Sequence, residues 1–231
     1  MNFPSPLING TLIKRYRRSL ADVRLEGDRV VTVHVFSLGS MKGCSEPGRP
    51  VLISDSGDRT RRHPLTLEMI DVNGVWVGAN PTLSRHVVHE ALQRGEIETL
   101  RGYRIEGEAI FGRGRRVDIV LQNMEENCFI NVHSITWVEH GNALFPDTPG
   151  NSARRSLEEL SGVAGQGHRA IALFHVLRGD CERARSAKQG DPDCLKALSD
   201  AKRAGVGMLA YRAGVSPSGI SLGEPIPFSV D

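Results

Sequence analysis

The pattern of hydrophobic and polar positions changes near residue 80. Before that point, short runs of β-branched and hydrophobic residues are separated by turn residues, as at 30–35, which follows a turn at 27–28. Several short strands at close spacing are typical of a small barrel or sandwich. From Pro81 onward, the hydrophobic positions between 83 and 92 fall on one face of a helix. The sequence therefore predicts an all-β unit over residues 1–82.

Residues 83–231 show the alternation of strands and helices that is typical of an α/β unit. After the first helix, we predict strands at 107–111, 117–121, 128–138, 170–177 and 206–211, and helices at 152–164 and 192–204. The run 170–177 is almost entirely hydrophobic, which indicates a strand buried on both faces. The last segment, 216–231, is interrupted by prolines and is predicted to be irregular.

The composition argues against export, a membrane span and a structural zinc site. No apolar run approaches the roughly 20 residues that a bilayer-crossing helix needs, and the first residues lack the basic flank and apolar stretch of a secretory signal. The four cysteines are widely scattered and form no C-x-x-C pair: Cys44, Cys128, Cys181 and Cys194. We therefore expect a soluble cytoplasmic protein with reduced thiols and no membrane partner.

The positive charge of the chain is mostly arginine, and it is clustered. Of the 29 basic residues 24 are arginines, although the formal net charge is only +2. There are four clusters: Lys14, Arg15, Tyr16, Arg17 and Arg18; Arg59, Arg61 and Arg62; Arg113, Arg115 and Arg116; and Arg154 and Arg155. The planar guanidinium suits bidentate contacts with phosphate, so these clusters predict a track for the DNA backbone. In an OB-type barrel, Tyr16 would be placed to stack on a base.

A candidate catalytic site lies between residues 108 and 133. Glu108 is on one predicted strand, and Asp118 begins the next. On the following strand, alternation places Asn131 and His133 on one side and Val132 on the other. Two carboxylates and an Asn/His pair would therefore converge. This is the layout of nucleases in which an Asp and a Glu hold Mg²⁺ and a Lys orients the attacking water.

Six motifs in order along the chain resemble the sugar fermentation stimulation protein family. They are Leu12-Ile13-Lys14-Arg15-Tyr16-Arg17-Arg18 with Ala21-Asp22-Val23, Gly39-Ser40-Met41-Lys42-Gly43-Cys44, Arg61-Arg62 with Glu68, Val77-Gly78-Ala79-Asn80, Arg116-Val117-Asp118, and Phe145-Pro146-Asp147. The resemblance covers essentially the whole chain. It implies an N-terminal OB-like β-barrel over 1–82 and a restriction-endonuclease-like α/β domain of the PD-(D/E)XK type over 83–231. It also implies non-specific DNA binding and a regulatory link to sugar metabolism.

The chain departs from the family at the polar positions of the candidate site. The family's Tyr-Ile-Glu-Val-Lys strand reads Phe-Ile-Asn-Val-His at 129–133, so Asn131 replaces the metal-binding Glu and His133 replaces the Lys. Two further motifs are altered: the family's Pro-Asn-Thr-Gly turn at 36–39, and the segment 145–157, where Ser152 and Ser156 replace an Arg and a His while Arg155 keeps the charge of a Lys. Asn supplies one neutral oxygen, and His prefers softer ions than Mg²⁺. We therefore predict a site that does not cut DNA, in which Glu108 and Asp118 either remain as ligands for weakly bound Mg²⁺ or Mn²⁺ or pair with Arg115 or Arg116.

Three functions compete on the sequence alone. The sequence favours a DNA-binding accessory or regulatory protein without catalysis. The alternative is a metal-dependent DNA nuclease with a variant centre of Glu108, Asp118, Asn131 and His133. A third interpretation makes the barrel an oligosaccharide binder, because OB folds serve both ligands. A homodimer is a further partner that the sequence leaves open.

Overall fold

The computed structural model describes residues 1–3, 6–17, 19–36, 41–111, 115–147 and 151–230, with the backbone alone at 108–111 and 115–116. Its strands are β1 (Ile8–Tyr16), β2 (Leu20–Arg24), β3 (Val30–His34), β4 (Pro50–Asp55), β5 (Leu65–Val72), β6 (Val75–Gly78), β7 (Arg104–Phe111), β8 (Arg115–Gln122), β9 (Asn127–Ile135), β10 (Val138–Glu139), β11 (Asn142–Phe145), β12 (Arg169–Val176), β13 (Arg183–Ser186), β14 (Gly207–Ser216), β15 (Gly219–Ile226) and β16 (Phe228–Ser229). Its α-helices are α1 (Thr82–Gln93), α2 (Asn151–Ala164) and α3 (Pro192–Arg203). None of these helices is both long enough and apolar enough to span a bilayer.

Strands β1 to β5 close into the predicted barrel. The strand order is β3-β2-β1-β4-β5, and β3 pairs in parallel with β5 at His34 and Thr66. This five-stranded closure is that of an OB fold, which confirms the predicted barrel. Alternating residues fill its interior, as Ala21 and Val23 of β2 illustrate, since both are fully buried.

The second unit is built on a mixed six-stranded sheet, which confirms the predicted α/β unit. Its strand order is β15-β14-β12-β9-β8-β7, with β9, β12 and β14 parallel to one another. Helix α1 packs on one face of this sheet, and α2 and α3 pack on the other. A smaller sheet has the order β10-β11-β13-β16.

Strand β9 runs through the middle of the six-stranded sheet, and its residues alternate as predicted. Ile130 and Val132 pack in the hydrophobic cluster under α1, where Ile130 is fully buried and Val132 half-buried. Phe129 packs in the cluster under α2 and α3. Asn131 and His133 lie on this second face, which is therefore the face of the candidate site.

The two units share a packed boundary. Leu177, directly after β12, is fully buried in the core of the barrel, and its carbonyl accepts a 2.8 Å hydrogen bond from the Gly78 backbone N–H. Next to it, the buried Arg178 guanidinium binds Asp180 through two contacts of 2.6 Å. The same guanidinium donates to the Thr136 carbonyl at 3.4 Å. The guanidinium also lies 3.8 Å from Sγ of Cys44, which is buried in the barrel core, so this satisfied cation contacts both units.

The sequence prediction was wrong about the last segment of the chain, which is not irregular. Residues 219–226 form β15, which pairs antiparallel with β14 at the edge of the sheet. An edge strand tolerates Pro225, because the N–H that proline lacks can face away from the neighbouring strand. Residues 1–3 lie against this region rather than the barrel: Phe3 N–H donates to the Ser218 carbonyl at 3.1 Å, and Ile220 N–H donates to the Met1 carbonyl at 3.0 Å.

The placement of Val132 gives a first testable prediction. Replacing Val132 with Asp puts a carboxylate among the hydrophobic side chains under α1, where it has no partner among the described residues of that cluster. We expect the free energy of unfolding in urea to fall by about 2 kcal/mol or more. The shape-matched control Val132→Thr should cost about 1 kcal/mol. A loss below about 0.5 kcal/mol for the aspartate, which is typical of surface changes, would show that the register of β9 is wrong.

Candidate functional site

Strands β8 and β9 stop pairing through their backbones at Asp118, and two side chains continue the ladder. The last backbone pair is Ile119 with Ile130. Beyond it, the Asp118 N–H donates to Asn131 Oδ1 at 2.9 Å, and the Val132 N–H donates to Asp118 Oδ2, also at 2.9 Å. The two side chains thus take over backbone groups that the parting strands would leave unsatisfied. Asp118 and Asn131 are therefore brought together as predicted.

The second oxygen of Asp118 faces helix α1. Its Oδ1 lies 2.7 Å from Nη2 of Arg85, a residue of the first turn of α1. The Asp118 side chain is 20% exposed and that of Arg85 is 41% exposed. An ion pair of this geometry, shielded in part from water, neutralises the carboxylate.

Asn131 is buried, and both ends of its amide are engaged. Its oxygen accepts from Asp118, and its Nδ2 donates to Ser156 Oγ of α2 at 2.8 Å. These two partners fix which end of the amide carries the oxygen, because only an acceptor can face a backbone N–H. Asn131 therefore connects β8 to α2 through one side chain.

His133 lies deeper, inside an aromatic cluster. Its ring stacks on Phe174 at a centroid distance of 5.3 Å and meets the edge of Phe145 at the same distance. Its Nε2 is 3.4 Å from Ser156 Oγ. Burial lowers the pKa of His133 to about 4. The imidazole is therefore neutral at physiological pH and closes the chain Asp118–Asn131–Ser156–His133.

Among the four residues predicted for the catalytic site, Glu108 is the one whose side chain falls outside the described part of the structure. Its backbone lies in β7, where Gly107 pairs with Val120 and Ala109 with Val117. Glu108 is thus on the strand next to Asp118 and at its level. Among the described residues, no group of three or more His, Cys, Asp or Glu side chains is placed to hold a metal ion.

The two predicted basic clusters of the barrel lie at the end of β1 with the loop that follows it, and in the loop from β4 to β5. Lys14 is 64% exposed and lies 3.6 Å from Asp22, and the Tyr16 hydroxyl donates to the same carboxylate at 2.9 Å. Arg17 is exposed in the loop from β1 to β2. In the loop from β4 to β5, the exposed basic residues are Arg59, which lies 3.2 Å from Asp55, Arg61 and Arg62.

The remaining residues of the predicted DNA track are dispersed. Arg15 is half-buried on β1, and Arg155 is exposed on α2 beside Ser156. Arg18 and the side chains of Arg115 and Arg116 lie outside the described residues. Sequence reasoning therefore located the exposed charge on the barrel, and it did not place the other clusters relative to it.

Sequence reasoning missed the polar contacts of α1. Arg85 and Asp118 are 33 positions apart in the sequence, and no local pattern connects them. No local pattern connects the buried Ser84 with its partners either. Its hydroxyl accepts a hydrogen bond from Ser134 Oγ at 2.8 Å and lies 3.0 Å from Nδ1 of His175. Ser84 is a polar residue on the inward face of α1. This feature of the sequence indicates that the helix covers polar groups.

The two buried histidines predict how stability depends on pH. Burial lowers the pKa of His133 and of His175 to about 4, against an ordinary value of 6.5. Between these pH values the unfolded chain binds more protons than the folded one. The stability contribution is therefore complete above about pH 6.5 and is lost as pH falls towards 4, by up to about 3 kcal/mol per histidine.

The measurement is urea unfolding between pH 4.5 and 7.5. His133→Gln and His175→Gln should each flatten the slope of unfolding free energy against pH. The control is His86→Gln, which alters an exposed histidine of α1 and should leave the slope unchanged. Equal slopes for the wild type and both buried variants would contradict the assignment of neutral, buried imidazoles.

Comparison with known proteins covers both units of the chain. The family model described as "SfsA N-terminal OB domain" matches residues 13–79, and the model described as "Sugar fermentation stimulation protein RE domain" matches residues 82–219. A solved structure described as "The structure of Pyrococcus Furiosus SfsA in complex with Ca2+" superposes with a TM-score of 0.90. It covers 100% of this chain and 98% of the other at 22% identity, and this likeness shows the fold.

Curated relatives match at higher identity over nearly the full length. A sugar fermentation stimulation protein homolog of Pelobacter propionicus is 43% identical over 223 residues, which are 96% of this chain and 97% of the relative. A homolog of the same description from Geobacter sulfurreducens is 42% identical over 228 residues, 98% of each chain. The chain therefore belongs to the sugar fermentation stimulation protein family.

Proposed function

We propose that this protein binds DNA with little sequence preference through the loops of its barrel. The observation that carries the proposal is the position of two basic clusters. One lies at the end of β1 and in the loop to β2, and the other lies in the loop from β4 to β5. In OB folds these two loops flank the face that binds oligonucleotides and oligosaccharides.

The chemistry of these loops suits a phosphate backbone better than a sugar. Lys14, Arg17, Arg61 and Arg62 are exposed cations on loops or strand ends. Cations that meet successive phosphates release condensed counterions, and this supplies most of the affinity in sequence-tolerant binding. Tyr16 lies beside them with its hydroxyl held by Asp22 and with the Lys14 ammonium 5.4 Å from its ring centroid, so its ring is oriented before any base could stack on it.

In this proposal the second unit supports binding without cutting, and the protein acts as an accessory or regulatory factor. Its candidate site retains one described carboxylate, Asp118, which is neutralised by Arg85. His133 is neutral and enclosed by aromatic rings. A histidine with its pKa lowered to about 4 is a weak base, and a carboxylate paired with a guanidinium does not activate water as a bound metal ion would. The link to sugar metabolism comes from the family alone. A cytoplasmic location is supported by four buried cysteines with free thiols.

A salt titration of DNA binding tests the proposal. The variant Arg15→Ala/Arg17→Ala/Arg18→Ala should weaken binding by a similar factor for duplexes of unrelated sequence. The slope of log affinity against log salt should become shallower by up to about 0.9 for each phosphate that the variant no longer neutralises. A control with three alanines at Arg94, Arg101 and Arg203, outside the basic clusters, removes the same charge and should retain the wild-type slope.

Two outcomes would contradict the proposal. If the triple variant binds DNA as tightly as the wild type while the control binds more weakly, the barrel loops are not the DNA site. If the wild type shows no salt-dependent DNA binding and instead binds oligosaccharides with nearly salt-independent affinity, the barrel recognises sugars.

A repair experiment tests the inactive site. We expect no Mg²⁺-dependent nicking of plasmid DNA by the wild type. His133→Lys alone should add no activity, because an ammonium without a metal-bound water has nothing to activate. Asn131→Glu restores a carboxylate on the same strand face and should raise Mg²⁺ affinity, and only the double variant should show any nicking. Robust cleavage by the wild type, abolished by Asp118→Ala, would instead establish a nuclease with a variant centre.

A further inference from the structure

The described carboxylate of the candidate site, Asp118, is already paired with a cation that belongs to the protein. The chemistry of the site predicts that Asp118 would bind such a cation through a carboxylate oxygen. In the structure, Asp118 Oδ1 lies 2.7 Å from the Arg85 guanidinium, and Asp118 Oδ2 accepts the Val132 N–H at 2.9 Å. A metal on Oδ1 would have to displace the guanidinium.

The neighbouring donors do not fit a metal either. The only oxygen of the Asn131 amide already accepts the Asp118 N–H, and its nitrogen end donates to Ser156. Nε2 of His133 faces Ser156 Oγ from within the aromatic cluster. A hard divalent cation takes at least six oxygen ligands, and in proteins at least one or two of them are usually carboxylates, with waters or carbonyls completing the shell. The described side chains leave it one carboxylate that is already neutralised.

Helix α1 holds Arg85 in place for this contact. The residue before it, Ser84, is 1% exposed, and its hydroxyl joins Ser134 of β9 and His175 of β12. This buried network fixes the first turn of α1 against the same strand that carries Asn131. The backbone at Arg85 is therefore fixed within reach of Asp118, and the guanidinium is partly shielded from water at 41% exposure.

We propose that Arg85 takes the place of a divalent cation at Asp118. The point at which β8 and β9 separate is then stabilised by a cation of the protein itself and needs no metal. This role of Arg85 concerns the stability and metal response of the site. It does not depend on DNA binding, and the two can fail independently.

The test is thermal unfolding of the full chain in EDTA and in Mg²⁺, Mn²⁺ or Ca²⁺, with ionic strength matched by KCl. The wild-type midpoint should agree within about 1 °C across these conditions. Arg85→Gln should lower the midpoint by about 3–6 °C. In an Asp118→Asn background, the same change should lower it by less than about 1 °C, because the partner charge is already gone.

Arg94→Gln is the matched control. Arg94 is on the C-terminal side of α1, is 61% exposed and pairs with Glu90 at 3.6 Å, so its loss should shift the midpoint by less than about 1 °C in either background. The proposal is overturned if a saturable metal-dependent rise in the wild-type midpoint disappears in Asp118→Asn. It is equally overturned if Arg85→Gln costs the same with and without the Asp118 carboxylate. The metal titration of the wild type decides the matter even where a variant fails to fold.

Discussion

Polar side chains on the inner face of a central strand must find partners inside the protein, and β9 places Asn131 and His133 in that position. Leaving a buried donor or acceptor unpaired costs about 1–3 kcal/mol. The structure meets this requirement with a single connected chain, in which Asn131 bridges Asp118 to Ser156 and Ser156 reaches His133. The geometry of the candidate site follows from that requirement.

The residue types of this chain form a neutral and mutually satisfied set. A lysine at position 133 would place an ammonium between the rings of Phe145 and Phe174, whereas the neutral imidazole packs there as an aromatic group. A glutamate at 131 would set a second carboxylate beside Asp118, and the two like charges would repel. Asn131, His133 and Ser156 are thus consistent with one another. A change at one of them that restored charge would break contacts that the others now make.

The sequence could predict those features that depend on local periodicity. The barrel strands and the alternation of 130–133 follow from period-two patterning, which burial enforces because a slip of one residue would exchange the two faces of β9. The pairing of β15 with β14, and the contact of Arg85 with Asp118, depend instead on tertiary packing between segments whose own sequence carries no sign of the partner. Pro225 even argued against a strand, since the sequence does not reveal which strand forms the edge of the sheet.

Strand β12 connects the separate parts of the molecule through successive residues. Phe174 stacks on His133, His175 reaches Ser84 in the turn of α1 that presents Arg85, and Leu177 enters the core of the barrel. Because residues 174 and 175 point to opposite faces of the sheet, one strand fixes both the aromatic wall of the site and the helix above it. Arg178 then anchors the end of this segment on Asp180 and the Thr136 carbonyl. The position of the barrel relative to the candidate site is therefore fixed in part by packing along this one strand, because close-packed side chains leave little room for the two units to shift.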